Sequence, residues 1–433
     1  MKQKKLKQKK KTFQAPKGMR DILPSGQPYW EKIYRVAREL AAAYGFGKID
    51  TPILEDAELF VKATGQTTDI IEKQMYSLKT KGGDSLALRP EFTPGVIRAY
   101  LENGLSSLPQ PVKLYSCGPL FRYERQQAGR YRQFSQLNFE IIGSAAPVSE
   151  AQIINLFFIL FKEIGLKNIN LQINSIGCRN CRPAYRKALV NYYSKRADRA
   201  CSDCKKRLKQ NPLRLLDCKE EKCAQLISGA PQIIDSLCEE CHNHFKGVLE
   251  FLDELEIPYI LNPYLVRGLD YYTKTVFEFC RENDEVRQGA LGAGGRYDYL
   301  VKLLGGKETP ACGGACGLER IVALMKEQSI KASSVLSPKV FLIQLGDLAK
   351  RKSLLLFEEL RKSNVTAVES SSKDSIKTQL KLADKIGAKF VLILGQQEVL
   401  DKAIIVRDMQ TGVQETIKQE KLIKELKKRL AKK

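Results

Sequence analysis

Between Phe121 and Glu140 the chain reads FRYERQQAGRYRQFSQLNFE. Arg122, Arg125, Arg130 and Arg132 are crowded here among Tyr123, Tyr131 and Phe134. An arginine presents a rigid fork of donors that keeps its charge, which suits phosphate. An aromatic ring set among such arginines, here Phe134, offers a face on which a nucleobase stacks. Side chains of a strand alternate between faces, so Phe134, Gln136 and Glu140 would share one face. The order along the chain predicts one surface carrying nucleotide phosphate, then base, then a small polar ligand. An exposed basic strand with ordinary salt bridges is the plainer alternative. It accounts less well for the dense interleaving of arginine, glycine and aromatic residues.

The surrounding pattern is that of an antiparallel sheet carrying helices, not a βαβ repeat. Residues 29–44 space their apolar side chains as an amphipathic helix, and the glycines at 45 and 47 end it. IDTPILED, KQMYSLKT, SLALRP, KLYSCGPLFRYER and FSQLNFEIIG read as strands, with FTPGVIRAYLENG as a helix among them. A helix over 150–166 and the strand LQINSIG follow, then a helical, cysteine-rich segment from 178 to 255. The sheet pattern returns at 264–280, so residues 178–255 read as an insertion into one domain spanning 13–328. Residues 329–338 read as a linker. From 339 to 433 strands and helices alternate regularly, which predicts a separate, small α/β domain. At 433 residues two or three domains are expected, and 43% hydrophobic content supports packed cores.

Four segments in order carry a family resemblance: ALRPEFTPGVIRAY at 87–100, the arginine-rich stretch itself, LVRGLDYYTKTVFEF at 265–279, and GGACGLERI at 313–321. The arginine-rich stretch resembles motif 2 of the class II aminoacyl-tRNA synthetases, and LVRGLDYY resembles the signature of their histidyl-tRNA synthetase family. The resemblance runs from GMRDILP at 18–24 into the final domain. It implies an α+β catalytic domain built on an antiparallel sheet with a helical insertion, plus a C-terminal α/β anticodon-binding domain. It implies ATP with Mg2+, L-histidine and histidine tRNA as partners, and a homodimer.

The resemblance also assigns residues. Arg122, Arg267 and Arg320 would be catalytic, holding phosphate charge as it builds. Glu91, Phe92, Thr93, Arg122, Gln136, Glu140, Arg267, Tyr271 and Tyr272 would bind histidine. Within that set Glu140 and Tyr272 would meet the imidazole, and Glu91, Thr93 and Gln136 the α-amino group. Arg122, Glu124, Phe134 and Arg320 would bind ATP, and Arg125 and Gln127 the tRNA acceptor end. Gln126 stands where the family commonly has proline, and Ser135 where it has histidine or asparagine. A non-catalytic synthetase-like regulatory subunit of histidine biosynthesis is the rival. Such proteins degrade the motif arginines, which this chain retains.

The net charge of +23 is unevenly spread. Seven lysines fall in residues 1–11, and residues 178–214 and 418–433 are also strongly basic. Three separated basic zones suit a long polyanion such as RNA. Residues 1–12 read as a basic, disordered tail. That start lacks an apolar stretch of the secretory kind, and no apolar run nears the ~20 residues of a membrane helix, so a cytoplasmic protein without membrane contact is expected. His242 and His244 are the only histidines, which excludes a histidine-based triad in the main body.

Eight of the twelve cysteines fall in four pairs: Cys178 with Cys181, Cys201 with Cys204, Cys218 with Cys223, and Cys238 with Cys241. Spacing alone groups Cys178, Cys181, Cys201 and Cys204 as a structural zinc site. Free thiols packed among helices are the alternative.

Overall fold

The computed structural model describes residues 13–431, apart from 67, 126–128, 219, 283–288, 333–338 and 371–374. The basic tail at 1–12 and most of the expected linker lie outside the described residues. The chain divides into two compact units, the second beginning at Ser333.

The first unit is built on an eight-stranded sheet. In spatial order its strands are Gly47–Lys48, Val112–Phe121, Gln133–Ile142, Ala311–Gly317, Gly292–Arg296, Thr273–Arg281, Ile169–Ser175 and Tyr259–Leu261. The six inner strands run antiparallel. The two short edge strands pair in parallel. Helices cover one face. Val148–Ile164 is apolar on nearly every side and packs between the helices Gln27–Ala43 and Glu239–Glu254 and the sheet. Phe139, Phe157, Phe161, Phe277 and Phe279 interlock there edge to face and stacked. Glu239–Glu254, grouped by its sequence with the insertion, buries Phe245, Val248 and Leu252 in this main core.

Strand alternation sends Leu137, Phe139 and Ile141 into that core. It turns Gln136, Asn138 and Glu140 to the opposite face. That face is flanked by the helix Thr93–Glu102 and the insertion, which share a second core with Tyr271, Tyr272 and Tyr297. The segment from Leu265 to Tyr272, expected as strand, is loop, and pairing begins at Thr273. KQMYSLKT is likewise only half strand, because a π-helical turn occupies Ile70–Gln74.

The second unit carries a five-stranded sheet in the order Ala367–Glu369, Val340–Gln344, Phe390–Leu394, Ala403–Asp408, Gln414–Lys418. Its first three strands are parallel and the last two antiparallel. The helices Asp347–Lys362 and Gln419–Ala431 supply apolar residues to the core on one face, and Ile376–Lys385 to the core on the other.

Candidate active site

The face of the first sheet opposite the main core holds a cavity of about 350 Å³. Glu91, Thr93, Arg122, Glu124, Phe134, Gln136, Arg267, Tyr271, Tyr272 and Arg320 all line it, although they come from segments more than 200 positions apart. Register explains the floor. Glu140 lies opposite Leu114 on one neighbour and Gly313 on the other, and Gln136 opposite Gly118 and Gly317. Glycine is required at 313, because a Cβ there would collide with the Glu140 carboxylate. The same logic applies at Gly289, whose φ is +99° and whose Cβ would sit 2.6 Å from Arg320 Nη1.

Two carboxyl groups lie at the bottom. Glu91 is buried, and the Tyr271 hydroxyl donates to its Oε2 at 2.8 Å. Its Oε1 is buried with no partner. Glu140, 1% exposed, lies beneath the cavity floor; Thr93 Oγ1 donates to Oε1 at 2.7 Å and the Tyr297 hydroxyl donates to Oε2. Burial pushes both carboxyls up to about 7. For Glu91 the Tyr271 bond and the charges of Arg122 and Arg267 work against that rise. For Glu140 the hydroxyls of Tyr297 and Thr93 do so, while the nearby Glu91 adds to it. Two buried acids, one with a vacant acceptor, suit a ligand that brings N–H donors and positive charge.

The walls carry the opposite sign. Arg320 donates to the carbonyls of Ala290 at 2.8 Å and Gly129 at 3.4 Å. Burial, with Arg130 and Arg122 nearby, depresses its pKa. Adjacent Glu319 does not serve as its partner, since that carboxylate accepts the Ser135 backbone N–H at 2.9 Å. Arg122 donates from Nε to the Pro90 carbonyl at 2.9 Å, and its guanidinium stands 5.2 Å from the Phe134 ring centre. Arg267 pairs with Glu278 on the strand Thr273–Arg281 and lies 5.7 Å from the Tyr272 ring centre. Burial opposes its charge, but Glu278 holds its pKa above the usual arginine value. Its Nε is buried without a partner. Guanidinium groups held by backbone carbonyls around a cleft form a preorganised field for phosphate oxygens.

Two expectations need correction, those for Phe92 and for the zinc grouping. Phe92 does not line the cavity. It is 1% exposed, packed in the second core beneath the Arg89 guanidinium, 4.4 Å from its ring centre. Phe92 immediately precedes the helix Thr93–Glu102, and its ring turns inward while its neighbours Glu91 and Thr93 face the ligand side. Arg125, expected at the tRNA acceptor end and not in the cavity, is exposed outside the cavity lining, and Gln127 lies outside the described residues. The zinc grouping of Cys178, Cys181, Cys201 and Cys204 is also overturned. Cys178 and Cys181 gather with Cys238 and Cys241, and Cys201 and Cys204 with Cys218 and Cys223. Sequence proximity misled because the insertion folds back, returning its exit at Cys238 to its entry at Cys178. Cys312 and Cys316 are buried in the main core.

Three contributors were missed. Tyr297, which holds Glu140, follows the glycine run after Arg296, and GGRYD was the signal available. Glu278 lies in the quoted LVRGLDYYTKTVFEF segment, on the strand face that Val276 shares. Arg296 is fully buried against Glu150, which also takes His244 at 2.6 Å. This network, spread over three elements, fixes the backbone on either side of Tyr297, and no local motif announces it.

Residues 18–321 match the family model described as histidyl-tRNA synthetase, and residues 339–429 that of an anticodon binding domain. The chain is 44% identical over 418 residues to a histidine–tRNA ligase of Dehalococcoides mccartyi, covering 96% of this chain and all of the relative. It is 45% identical over 413 residues to a histidine–tRNA ligase of Desulforudis audaxviator, covering 95% and 98%. Among solved structures it is similar to apo S. aureus histidyl-tRNA synthetase, with TM-score 0.80 and 36% identity over 96% of this chain and 99% of that one.

Proposed function

The chain belongs to the histidyl-tRNA synthetase family, and we infer that it is a histidine–tRNA ligase whose chemistry is carried by the cavity residues described above. The observation that carries this reading is the pairing of arginine walls with one buried acid in the cavity and a second just beneath its floor. The acids suit the amino and imidazole nitrogens of histidine, and the arginines suit a nucleotide triphosphate. Residues 13–328, interrupted at 178–255, are assigned to catalysis, and 339–433 to the anticodon.

In the first step a histidine carboxylate oxygen forms a bond to the α-phosphorus of ATP. The bond to the bridging oxygen breaks, and pyrophosphate leaves. Arg122 and Arg267 are assigned to the α-phosphate and the substrate carboxylate, whose mutual repulsion they offset. Arg320 and Phe134 are assigned to the triphosphate tail and adenine. Glu91 would take the α-ammonium on its vacant Oε1, with Thr93 and Gln136 beside it. Glu140 and Tyr272 would take the two ring nitrogens, and Tyr271 and Tyr297 would hold the two carboxylates in place. Nucleotide arrives as its magnesium complex. Glu124, Glu278 and Glu319 line the cavity with the oxygen donors such an ion takes, and the ion would neutralise phosphate charge. In the second step the 3′-hydroxyl of the terminal adenosine of histidine tRNA attacks the acyl carbon, the acyl–oxygen bond to phosphate breaks, and AMP leaves, a phosphate oxygen of the adenylate taking the hydroxyl proton. The basic surface and the turn bearing Arg125 and Gln127 are assigned to the tRNA, and a homodimer is assigned as the working form. Among the described residues no helix is long and apolar enough to cross a membrane.

Histidine-dependent exchange of labelled pyrophosphate into ATP, without tRNA, tests this reading. Exchange is expected with histidine alone among the standard amino acids. A protein that binds histidine yet exchanges nothing would be the regulatory kind of relative, a reading that the retained Arg122, Arg267 and Arg320 disfavour.

The raised carboxyls give a second expectation. Below about pH 7 Glu91 is largely protonated in the free enzyme, and an arriving ammonium favours its ionised form. Histidine binding near pH 6 therefore releases protons, and the release fades as pH rises past 7. Calorimetry in buffers of different ionisation heat measures it. Free imidazole titrates near pH ~6.5, so the difference between wild type and Glu91→Gln isolates the carboxyl. An unchanged proton count in that variant removes Glu91 from the ammonium site.

A further inference from the structure

We propose that the insertion carries two structural zinc ions. Cys178, Cys181, Cys238 and Cys241 hold one, and Cys201, Cys204, Cys218 and Cys223 the other. Within each group all four sulfurs lie within 4.8 Å of one another. The Cys178–Cys181 and Cys201–Cys218 separations are 3.7 Å, and Cys178–Cys238 is 3.9 Å. A zinc tetrahedron with Zn–S bonds of ~2.3 Å has edges of about 3.8 Å, whereas a disulfide brings its sulfurs to ~2.05 Å. The sulfurs therefore sit at the spacing of a shared ion rather than of a covalent pair.

Backbone N–H groups already point at the sulfurs. Asn180 donates to Cys178 at 3.3 Å, Cys238 to Cys181 at 3.1 Å, Cys204 to Cys201 at 3.3 Å, and Cys201 to Cys223 at 3.4 Å. Such donors stabilise thiolate, the form a metal takes, and gain little from a neutral thiol. Cys181, Cys201 and Cys238 each stand at the N-terminus of a helix, where the backbone field also favours negative charge. The stretch from Cys178 to Cys241 that holds all eight thiols spans 64 residues, a size at which a metal commonly supplements a small core.

The two centres stand behind the ligand pocket. Arg182, next to Cys181, donates to the carbonyls of Tyr272 and Ile176. Between Cys204 and Cys218, Asn211 donates to Asp270 at 2.8 Å and Arg214 pairs with Asp69 at 3.2 Å. One ion would fasten the insertion's entry to its exit, and the other the arm that meets the pocket rim.

Elemental analysis of the full-length protein, purified without chelators, tests this. Two zinc per chain are expected, falling to one in Cys241→Ser and one in Cys223→Ser. Cobalt substitution of the wild type should give the intense thiolate-to-metal bands of tetrahedral sulfur sites at two equivalents, which keeps the test valid if a variant fails to fold. Fewer than one metal per chain, with the eight thiols freely reactive in the folded protein, would overturn the proposal. So would iron in place of zinc, or loss of both ions in every single variant together with saturation of the wild type at one cobalt.

Discussion

Arg267→Ala lowers histidine-dependent pyrophosphate exchange by about 10²–10³-fold, the usual cost of removing one preorganised donor from developing charge. The loss falls on kcat more than on either KM, because the guanidinium is needed where two anions are forced together. Arg267 is already committed to Glu278, so truncation also strands that carboxylate in a half-buried site. A fall in thermal midpoint is therefore expected in the single variant. Glu278→Gln added to Arg267→Ala should restore much of the midpoint and none of the exchange, which separates stability from catalysis. Arg267→Lys stays poor, since an ammonium offers a point charge in place of a fork. Exchange within a few-fold of wild type in Arg267→Ala, measured at saturating histidine and ATP, would remove the residue from the mechanism.

The features legible in the sequence were those with a local period or a dense local motif. The hairpin from Val112 to Ile142 was visible because its alternation separates Leu137, Phe139 and Ile141 from Gln136, Asn138 and Glu140. The arginines were visible because one stretch crowds them together. The loop at 265–272 read as strand because Tyr271 and Tyr272 favour sheets, yet both rings are spent on the pocket, with Tyr271 bonded to Glu91. What stayed hidden was pairing across distance. Nothing near Glu91 predicts that Tyr271, 180 positions away, is its donor. Nothing near Cys178 predicts that its partners are Cys238 and Cys241 and not Cys201 and Cys204. Spacing rules assume that the nearest pairs join, whereas helices that fold back can place the outer pairs together.

Glu140→Gln lowers kcat/KM for histidine by about 10²-fold and leaves the KM for ATP nearly unchanged. The two side chains have almost the same shape, so the loss is one of polarity. As a carboxylate Glu140 accepts from Thr93 and Tyr297 and keeps lone pairs for an incoming ring N–H. An amide has one accepting end. Its NH₂ would face one of those hydroxyls donor to donor, forcing the hydroxyl to turn, and it brings no charge to the ring. Discrimination built on buried polar partners reaches ~10⁴-fold, because a wrong ligand leaves them unpaired. Gln should thus lose selectivity against ring analogues without nitrogen along with its affinity for histidine. Tyr297→Phe removes one donor from the same carboxylate and leaves Thr93, so a smaller loss, about 10-fold, is expected there. Steady-state exchange with both substrates varied decides the point. If Glu140→Gln kept its histidine KM while its ATP KM rose, the carboxylate would serve the nucleotide side, and its assignment to imidazole would be wrong.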